Sequence, residues 1–412
     1  MASPLRILSL DGGGIRGLSS ILILQEVMEN IRRIYNLQQV PRPCEYFDLI
    51  GGTSTGGIIA IMLGRLGMTV EDCINAYKSL AKEAFTPKRR LIHLPLPPTG
   101  IYSAKALERA IEAVVKAQCK DEACVTRGAC SHDDVLFRND ACVKTAVLAI
   151  TKENVDARPT LFKTYDNTSG FRDCTIWEVA RATSAASTFF KSIRCGRDNI
   201  EFIDAAFGYN NPCEVLMEEA QKQFPGDRQM YVLSIGTGLG SVATIKDTRT
   251  SILKALKSIS TASKKVADRL DERYKNTGRY YRFNVDRGLE DVTLADWDKA
   301  SKISAHTHNY LLEKQRDIIQ CAKVIFSASC GMNDAADEQF GPEPYVVDGQ
   351  SGQDERDWDS SEATNYGISI ARNVVSQDAE QRNSIRVGAG TKARILRNTC
   401  SDGSRQWNMI SI

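Results

Sequence analysis

The sequence predicts an α/β fold with three layers, in which helices cover both faces of a largely parallel central sheet. Short apolar runs alternate with longer segments whose apolar residues recur at helical spacing, and this alternation is typical of strand–helix–strand units. Glycine-rich turns follow the first two apolar runs, where strands of such sheets end. With 412 residues, of which 42% are hydrophobic, the chain can build a large core.

The individual elements follow from periodicity and from capping signals. Strands are predicted over residues 5–10, 46–50, 141–150, 160–165, 200–204 and 230–235. Helices are predicted over residues 18–35, 54–66, 69–85, 103–116, 175–187, 251–275 and 293–324. Ser103 stands at an N-cap position, and Thr175 with Glu178 forms a capping box at the start of its helix.

The composition changes near residue 325. Residues 1–325 carry the strand and helix patterns, and we expect them to form one α/β domain. Residues 326–412 are rich in Gly, Ser, Asp, Asn and Gln, which predicts a polar, weakly structured linker or tail that is partly disordered. We expect a short strand or two near residues 385–396 and find no internal repeat. A linker of this kind would also suit further domains in a longer protein.

Charge and cysteine content restrict the function. Lys and Arg number 53 and Asp and Glu number 51, so the net charge of +2 gives no reason to expect nucleic-acid binding. A strand pattern begins at Leu5 without the apolar stretch of a secretory signal, so we expect a cytoplasmic protein with reduced cysteines. Residues 49–68 are apolar but contain Arg65, which indicates a buried strand and helix rather than a membrane span.

One cluster has the residue types of a zinc site. It consists of Cys119, Cys124, Cys130 and His132. The cluster lacks the paired C-x-x-C spacing that such sites use, so a loop with free thiols is the favoured interpretation. We therefore predict no metal and no cofactor.

The strongest chemical signal is a G-x-S-x-G pattern at residues 52–56, between a predicted strand and a predicted helix. Such a turn exposes a serine hydroxyl, which makes Ser54 the candidate nucleophile. Gly52 and Gly56 are expected where neighbouring backbone approaches too closely for a side chain. The N-terminus of the helix adds partial positive charge near a developing oxyanion.

A second glycine-rich turn spans residues 11–17, after the first predicted strand. Gly12, Gly13 and Gly14 stand in a row ahead of a helix, which exposes backbone N–H groups to an anion. The anion is either a phosphate or the oxyanion of acyl transfer. Arg16 is not a P-loop lysine in register, and no clear ribose-binding acid follows at the spacing of a dinucleotide site.

A serine nucleophile needs a base. Asp204 ends an apolar run and is followed by turn residues, so it is expected at the carboxyl end of a strand. Sites of α/β proteins form at such strand ends. Asp204 is therefore the candidate general base.

Together and in this order, these segments resemble the patatin-like phospholipase family. They are residues 11–17, residues 52–56 and the Asp204 segment through Pro212, and weaker similarity extends over residues 5–320. The resemblance implies a patatin-like three-layer fold. It also implies hydrolysis of phospholipids or related acyl lipids without calcium, and peripheral contact with a membrane.

The resemblance further implies a role for each residue of the motifs. Ser54 would attack the ester carbonyl with Asp204 as its base, without a catalytic histidine. Backbone N–H groups of Gly12, Gly13 and Gly14, helped by Arg16, would hold the oxyanion. Donors of this kind contribute about 3–4 kcal/mol each to transition-state stabilisation.

One pair of residues departs from the family pattern. Ala205 and Ala206 follow Asp204, where the family usually has a glycine. If that position needs a positive φ, alanine costs roughly 1–2 kcal/mol of strain. The departure supports an alternative hypothesis, a catalytically weak or inactive lipid-binding or signalling module with the same fold.

A further alternative is an α/β-hydrolase triad in the order Ser…Asp…His. Two late histidines, His306 and His308, would complete it after Ser54 and Asp204. Both lie in a predicted polar helix rather than in a loop after a last strand, so a surface position is favoured for them.

Two segments are candidates for contact with a membrane. Residues 88–98 join a basic cluster to apolar residues and prolines, which suits anionic lipid, although a loop packed across the domain is favoured. The predicted helix 251–275 carries Lys254, Lys257, Lys264 and Lys265. A solvated helix face is the more usual explanation for such a run.

Overall fold

The computed structural model describes residues 3–86, 102–119, 132–187, 189–238, 250–285 and 287–329, with backbone alone for 250–260. It also describes the backbone of short strands between residues 369 and 411. The chain divides into two compact units, Met1–Gln339 and Phe340–Ile412. The glycine-rich turns, Ser54 and Asp204 all belong to the first unit.

Eight strands form the central sheet of the first unit. They are β1 (Leu5–Leu10), β2 (Leu49–Thr53), β3 (Lys144–Thr151), β4 (Thr160–Lys163), β5 (Ile193–Cys195), β6 (Ile200–Asp204), β7 (Met230–Ile235) and β8 (Tyr280–Phe283). Their order is β5-β6-β3-β2-β1-β7-β8, and β4 also pairs with β3. The pairs among β3, β2, β1, β7 and β8 are parallel, whereas β4, β5 and β6 run antiparallel to their neighbours. The sheet is therefore largely parallel, as predicted.

Nine helices of six or more residues lie in the described part of the first unit. They are α1 (Gly17–Ile34), α2 (Thr55–Ala60), α3 (Val70–Ala84), α4 (Ala104–Ala117), α5 (Ile176–Thr183), α6 (Cys213–Gln223), α7 (Thr250–Arg273), α8 (Ala300–Glu313) and α9 (Gln315–Ser329). Shorter helical turns are Gly14–Arg16, Pro43–Tyr46, Ile61–Arg65, Ala206–Tyr209 and Trp297–Lys299.

The side chains of β1 alternate between two buried clusters, because successive residues of a strand point to opposite faces. Leu8 lies in a cluster with Leu24 of α1, whereas Ile7 lies in a cluster with Leu216 of α6 and Leu270 of α7. Helices therefore cover both faces of the sheet. The predicted three-layer α/β/α fold is confirmed.

Residues 49–68 form β2, α2 and the π-helical turn after it, and most of their side chains are buried. This agrees with the predicted strand and helix. No described helix combines the length and the apolar character that crossing a membrane requires.

Some predicted elements have different bounds. The strand predicted over 46–50 begins at Leu49, because Pro43 starts a helical turn in which Glu45 Oε2 accepts a hydrogen bond from the Arg42 N–H. The helix predicted over 293–324 is two helices, α8 and α9, with Lys314 between them. The helix predicted over 175–187 ends at Thr183.

Three elements do not follow from the sequence patterns. They are α6, β5 and β8. The strand β5 has only three residues and β8 only four, too few to establish a period of two. Both lie at the ends of the sheet, so their pairing depends on strands that are already assembled.

Three parallel pairs of short strands lie among the residues of the second unit that the structure describes. They are β9 (Ser369–Ile370) with β12 (Arg394–Ile395), β10 (Val374–Val375) with β13 (Thr399–Cys400), and β11 (Glu380–Arg386) with β14 (Arg405–Ser411). In every pair the partners stand 25 residues apart, since Ser369 opposes Arg394, Val374 opposes Thr399 and Glu380 opposes Arg405. A constant offset defines a repeat, so the expectation of no internal repeat is wrong.

Candidate active site

Ser54 lies in the sharp turn between β2 and α2. Its backbone has φ 57 and ψ −128, a left-handed conformation that is strained for a residue with a side chain. The Ser54 N–H donates to Thr183 Oγ1 at 2.8 Å, and the Thr183 hydroxyl donates to the Leu148 carbonyl at 2.6 Å. A hydrogen-bonded threonine from α5 thus holds the strained turn against β3.

The glycines on both sides of Ser54 allow the backbone to approach closely. A Cβ at Gly52 would lie 2.2 Å from the Gly56 carbonyl oxygen, and one at Gly56 would lie 2.4 Å from the Asp11 carbonyl oxygen. Both distances are far shorter than a van der Waals contact. Only glycine therefore lets the turn fold on itself and pack against the end of β1.

Ser54 and Asp204 are in direct contact. The Ser54 hydroxyl donates to Asp204 Oδ2 at 2.6 Å, and the other carboxylate oxygen accepts from the Ala206 N–H at 2.8 Å. Both side chains are buried, with Ser54 9% and Asp204 2% exposed. The two residues that the sequence singled out as nucleophile and base are thus brought together across 150 positions of the chain.

The surroundings of Asp204 change its acidity. Burial raises its pKa from 3.8 to about 7, and the hydrogen bonds from Ser54 and Ala206 lower it only in part. A carboxylate with a pKa near 7 can accept a proton from a hydroxyl and give it back at neutral pH. The geometry and the acidity together suit a general base.

The first glycine-rich turn lies against Ser54. A Cβ at Gly12 would be 2.9 Å from Ser54 Cβ, so these two residues are immediate neighbours. The Gly12 N–H donates to the Asn210 carbonyl at 3.2 Å, and the Gly13 N–H donates to Thr55 Oγ1 at 3.1 Å. The Gly14 N–H makes no hydrogen bond within the described residues. Of the three expected oxyanion donors, two therefore have partners already.

Arg16 points its guanidinium toward main-chain carbonyls. Its Nη1 donates to the Gly238 carbonyl at 3.2 Å and the Leu289 carbonyl at 3.5 Å. The side chain is buried, and burial lowers the pKa of Arg16 to about 10. Its described hydrogen bonds tie the glycine-rich turn to two other loops and do not reach Ser54 or Asp204.

Sequence reasoning missed a buried ion pair beside this turn. Arg282 of β8 binds Asp11 with both nitrogens, Nη1 to Oδ1 at 2.9 Å and Nη2 to Oδ2 at 2.6 Å, and Nη1 also donates to Ser234 Oγ at 2.8 Å. Burial alone lowers the pKa of Arg282, but the Asp11 charge outweighs it and the net direction is upward. The pair fixes the residue that begins the glycine-rich turn.

Other polar contacts around the site also follow from tertiary structure alone. The Tyr77 hydroxyl of α3 donates to the Gly14 carbonyl at 2.5 Å, and the Asp204 N–H donates to the Ala185 carbonyl at 3.1 Å. The capping box at Thr175 was a signal for α5. Nothing in the sequence pattern marked Thr183 or Ala185 as neighbours of the dyad.

The expected strain after Asp204 is absent. Ala205 has φ −75 and ψ −1, and neither Ala205 nor Ala206 has a positive φ. These backbone conformations are ordinary for alanine. The Ala205-Ala206 departure therefore leaves the Asp204 carboxylate in contact with Ser54.

The late histidines lie elsewhere. His306 and His308 belong to α8, where His306 packs against Gly288 and His308 is exposed. Asp204 accepts directly from Ser54, with no imidazole between them. Within the described residues, neither of these histidines makes a hydrogen bond to the dyad.

Three sequence interpretations fall outside the described residues. Cys124 and Cys130 of the possible zinc cluster, the segment 88–98, and the side chains of Lys254 and Lys257 are among the parts not described.

A family model for patatin-like phospholipase matches residues 8–217, a range that contains both glycine-rich turns, Ser54 and Asp204. The chain belongs to the patatin-like phospholipase family. The resemblance expected from the three motifs is confirmed. Both residues of the Ser54–Asp204 contact lie within the matched range.

Curated relatives agree with this membership of the patatin-like family. A cGAMP-activated phospholipase of Escherichia coli (strain TW11681) is 30% identical over 240 residues, which cover 56% of this chain and 62% of the relative. The human calcium-independent phospholipase A2-gamma is 26% identical over 343 residues, which cover 78% of this chain and 40% of the relative. The chain thus spans less than two thirds of the length of either relative.

A solved structure, human GIVD cytosolic phospholipase A2, aligns with 79% of this patatin-like chain and 61% of its own. The TM-score is 0.39 and the sequence identity 9%.

Replacing Asp204 with Asn should stabilise the fold at high pH. Because the folded pKa of about 7 exceeds the ordinary 3.8, the folded state binds more protons between these values, and stability falls as pH rises through this window. At pH 8 the ionised carboxylate costs about 4 kcal/mol, which Asn avoids. Urea unfolding at pH 8 should show that the free energy of unfolding of the variant exceeds that of the wild type by this amount. At pH 4 the two should differ little.

Asp48→Asn is the matched control for Asp204→Asn. Asp48 is partly exposed and paired with Arg6, so its replacement removes an ion pair and should not stabilise the fold. A variant Asp204→Asn that is less stable than the wild type at both pH values would contradict the expected cost of the buried charge.

Replacing Arg282 with Met should destabilise the first unit strongly. The change leaves the buried Asp11 carboxylate without its partner, and breaking a buried pair in this way costs about 3–5 kcal/mol. Arg6→Met is the matched control on β1, where the partner Asp48 is 26% exposed and the loss should be about 1 kcal/mol or less. If denaturant unfolding shows that the two variants lose the same free energy of unfolding, the Asp11–Arg282 pair stabilises the fold no more than the Arg6–Asp48 pair does.

Proposed function

We propose that this chain is a lipid acyl hydrolase of the phospholipase A or lysophospholipase type, a serine carboxylic ester hydrolase that cleaves fatty acyl esters. The observation that carries the proposal is the 2.6 Å hydrogen bond from the Ser54 hydroxyl to Asp204 Oδ2, with both groups buried. Membership of the patatin-like family and the phospholipase names of its relatives support a lipid ester as the substrate class.

The proposed reaction has two halves. Asp204 accepts the proton of the Ser54 hydroxyl while Oγ attacks the ester carbonyl carbon. Asp204 then returns this proton to the leaving alkoxide oxygen, which releases the alcohol part of the lipid and leaves the acyl group on Ser54. A water molecule attacks the acyl-enzyme with Asp204 again as base, and the fatty acid leaves with the serine restored.

The oxyanion hole is proposed at the Gly12–Gly14 turn. The contact of Gly12 with Ser54 and the unpaired N–H of Gly14 support this position. The Gly13 N–H becomes a second donor when the Thr55 hydroxyl that it binds rotates away. Arg16 would act through its charge, because its hydrogen bonds go to carbonyls of other loops.

An aromatic pair that includes Phe189, four residues after Ala185 in the chain, supports an acyl substrate. Phe189 follows closely on Ala185, whose carbonyl binds the Asp204 N–H, and the Phe189 N–H donates to the Ala186 carbonyl at 2.8 Å in a tight turn. The Phe189 ring stacks on Tyr102 with centroids 6.0 Å apart and planes 12° apart. Both rings are half-buried. We propose them as the wall along which the acyl chain lies.

The proposal includes calcium independence, a cytoplasmic location and peripheral contact with the lipid surface. Nucleophile, base and oxyanion donors all come from the protein, which supports a reaction without calcium. The cysteines that the structure describes are free thiols, as expected in a reducing compartment. Hydrolysis in EGTA and in calcium should therefore proceed at the same rate.

Ser54→Ala should abolish release of fatty acid from phospholipid vesicles, and Asp204→Asn should lower kcat by a factor of about 10²–10⁴. A fluorophosphonate probe should label the wild type and not Ser54→Ala. Lipid release is measured by mass spectrometry of the products. An unlabelled wild type without lipid release would support the alternative of an inactive lipid-binding module.

A double variant, His306→Gln with His308→Gln, separates the dyad from a triad. Because neither histidine contacts Ser54 or Asp204, the dyad mechanism requires that this variant keep the turnover of the wild type. A loss comparable to that of Asp204→Asn would favour the triad.

Phe189→Ala should weaken the use of long acyl chains. Removing the wall exposes about two methylene groups to water at about 0.8 kcal/mol each, so KM for a palmitoyl ester should rise about tenfold while that for a butyryl ester stays unchanged. Phe326→Ala is the control, since Phe326 also stacks on a tyrosine, Tyr35, but between α1 and α9. A Phe189→Ala enzyme with an unchanged palmitoyl-to-butyryl ratio would exclude this wall.

A further inference from the structure

The offset of 25 residues aligns two halves of the second unit residue by residue. Residues 369–386 and 394–411 are identical at seven of these eighteen positions. The identical positions are Ile370 and Ile395, Arg372 and Arg397, Asn373 and Asn398, Ser376 and Ser401, Gln381 and Gln406, Asn383 and Asn408, and Ile385 and Ile410. The register of the backbone and the sequence therefore describe the same repeat.

Each half supplies three strands, and each strand pairs with its counterpart in the other half. Within the described strands of this unit, every strand has one paired edge and one edge without a strand partner. Two-stranded sheets are marginally stable in water. Stacked repeats usually need three or more units before they bury enough surface. Two halves alone are thus fewer than this architecture requires.

A second copy of the chain fits the open edges better than an unrelated partner. Within one chain, residues 394–411 pair with residues 369–386. The free edge of residues 394–411 can pair in the same way with residues 369–386 of the next copy. Continuing the register would set Arg405 of one copy beside Glu380 of the next, as Arg405 lies opposite Glu380 within the chain. Gln381 with Gln406, and Asn383 with Asn408, would continue as ladders of identical amides.

We propose that residues 369–411 form a self-assembly module, in which the second half of one copy adds in parallel and in register to the first half of the next. The contact is head to tail, so it generates an open stack rather than a closed dimer. The segment has no proline to interrupt such stacking. The proposal does not depend on the hydrolase activity of the first unit.

The test uses the full-length chain in sedimentation velocity at about 1–100 μM, the range over which weak association between copies becomes visible. The wild type should form species that grow with concentration. Glu380→Arg places like charges at the paired position with Arg405 and should reduce the assembled fraction about tenfold. Glu380→Arg combined with Arg405→Glu restores opposite charges and should restore assembly.

Asp298→Arg is the control, because it makes the same change of charge at an exposed position of the first unit. It should assemble like the wild type. Thermal unfolding of the first unit checks that every variant is folded. A wild type that sediments as one monomeric species at all concentrations overturns the proposal, and so does a double charge swap that does not recover assembly.

Discussion

The hydrogen bond between Ser54 and Asp204 depends on the strand β3, which lies between the two segments that carry it. Leu148 of β3 pairs with Thr53 and accepts from Thr183, and the next residue, Ala149, pairs with Asp204. One two-residue stretch of backbone therefore holds the Ser54 turn, the supporting Thr183 and Asp204 in register. The parallel pairing with β2 and the antiparallel pairing with β6 are both needed for this convergence.

The same arrangement lowers the stability of the fold at the Ser54–Asp204 site. Ser54 is held in a strained backbone conformation, and burial raises the pKa of Asp204 to about 7. Buried polar partners compensate in the neighbouring turn, where Arg282 binds Asp11 at the end of β1. The glycines add close backbone contacts that no other residue allows. The packing of helices on both faces of the sheet stabilises the fold enough to tolerate the strained Ser54 backbone and the buried Asp204 carboxylate.

The two units depend on different kinds of interaction. The first is organised by apolar side chains on both faces of one sheet, so that its strands are closed in by helices. The second is described by backbone pairing at a constant offset, with identical residues at matching positions. Its strands of two to seven residues carry little hydrophobic periodicity, and for that reason the sequence patterns predicted a tail there and not a repeat.

The sequence alone determined the fold class, the turn around Ser54 and the choice of Asp204 as the candidate base, because each follows from a pattern of neighbouring residues. Gly52 and Gly56 flank the serine, and an apolar run leads into the acid. Only the tertiary structure decided that Thr183 supports Ser54 across 129 residues and that Arg282 binds Asp11 across 271. It also decided which glycine N–H groups already have partners. Contacts over such separations depend on the order of strands in the sheet, and local periodicity carries no record of that order.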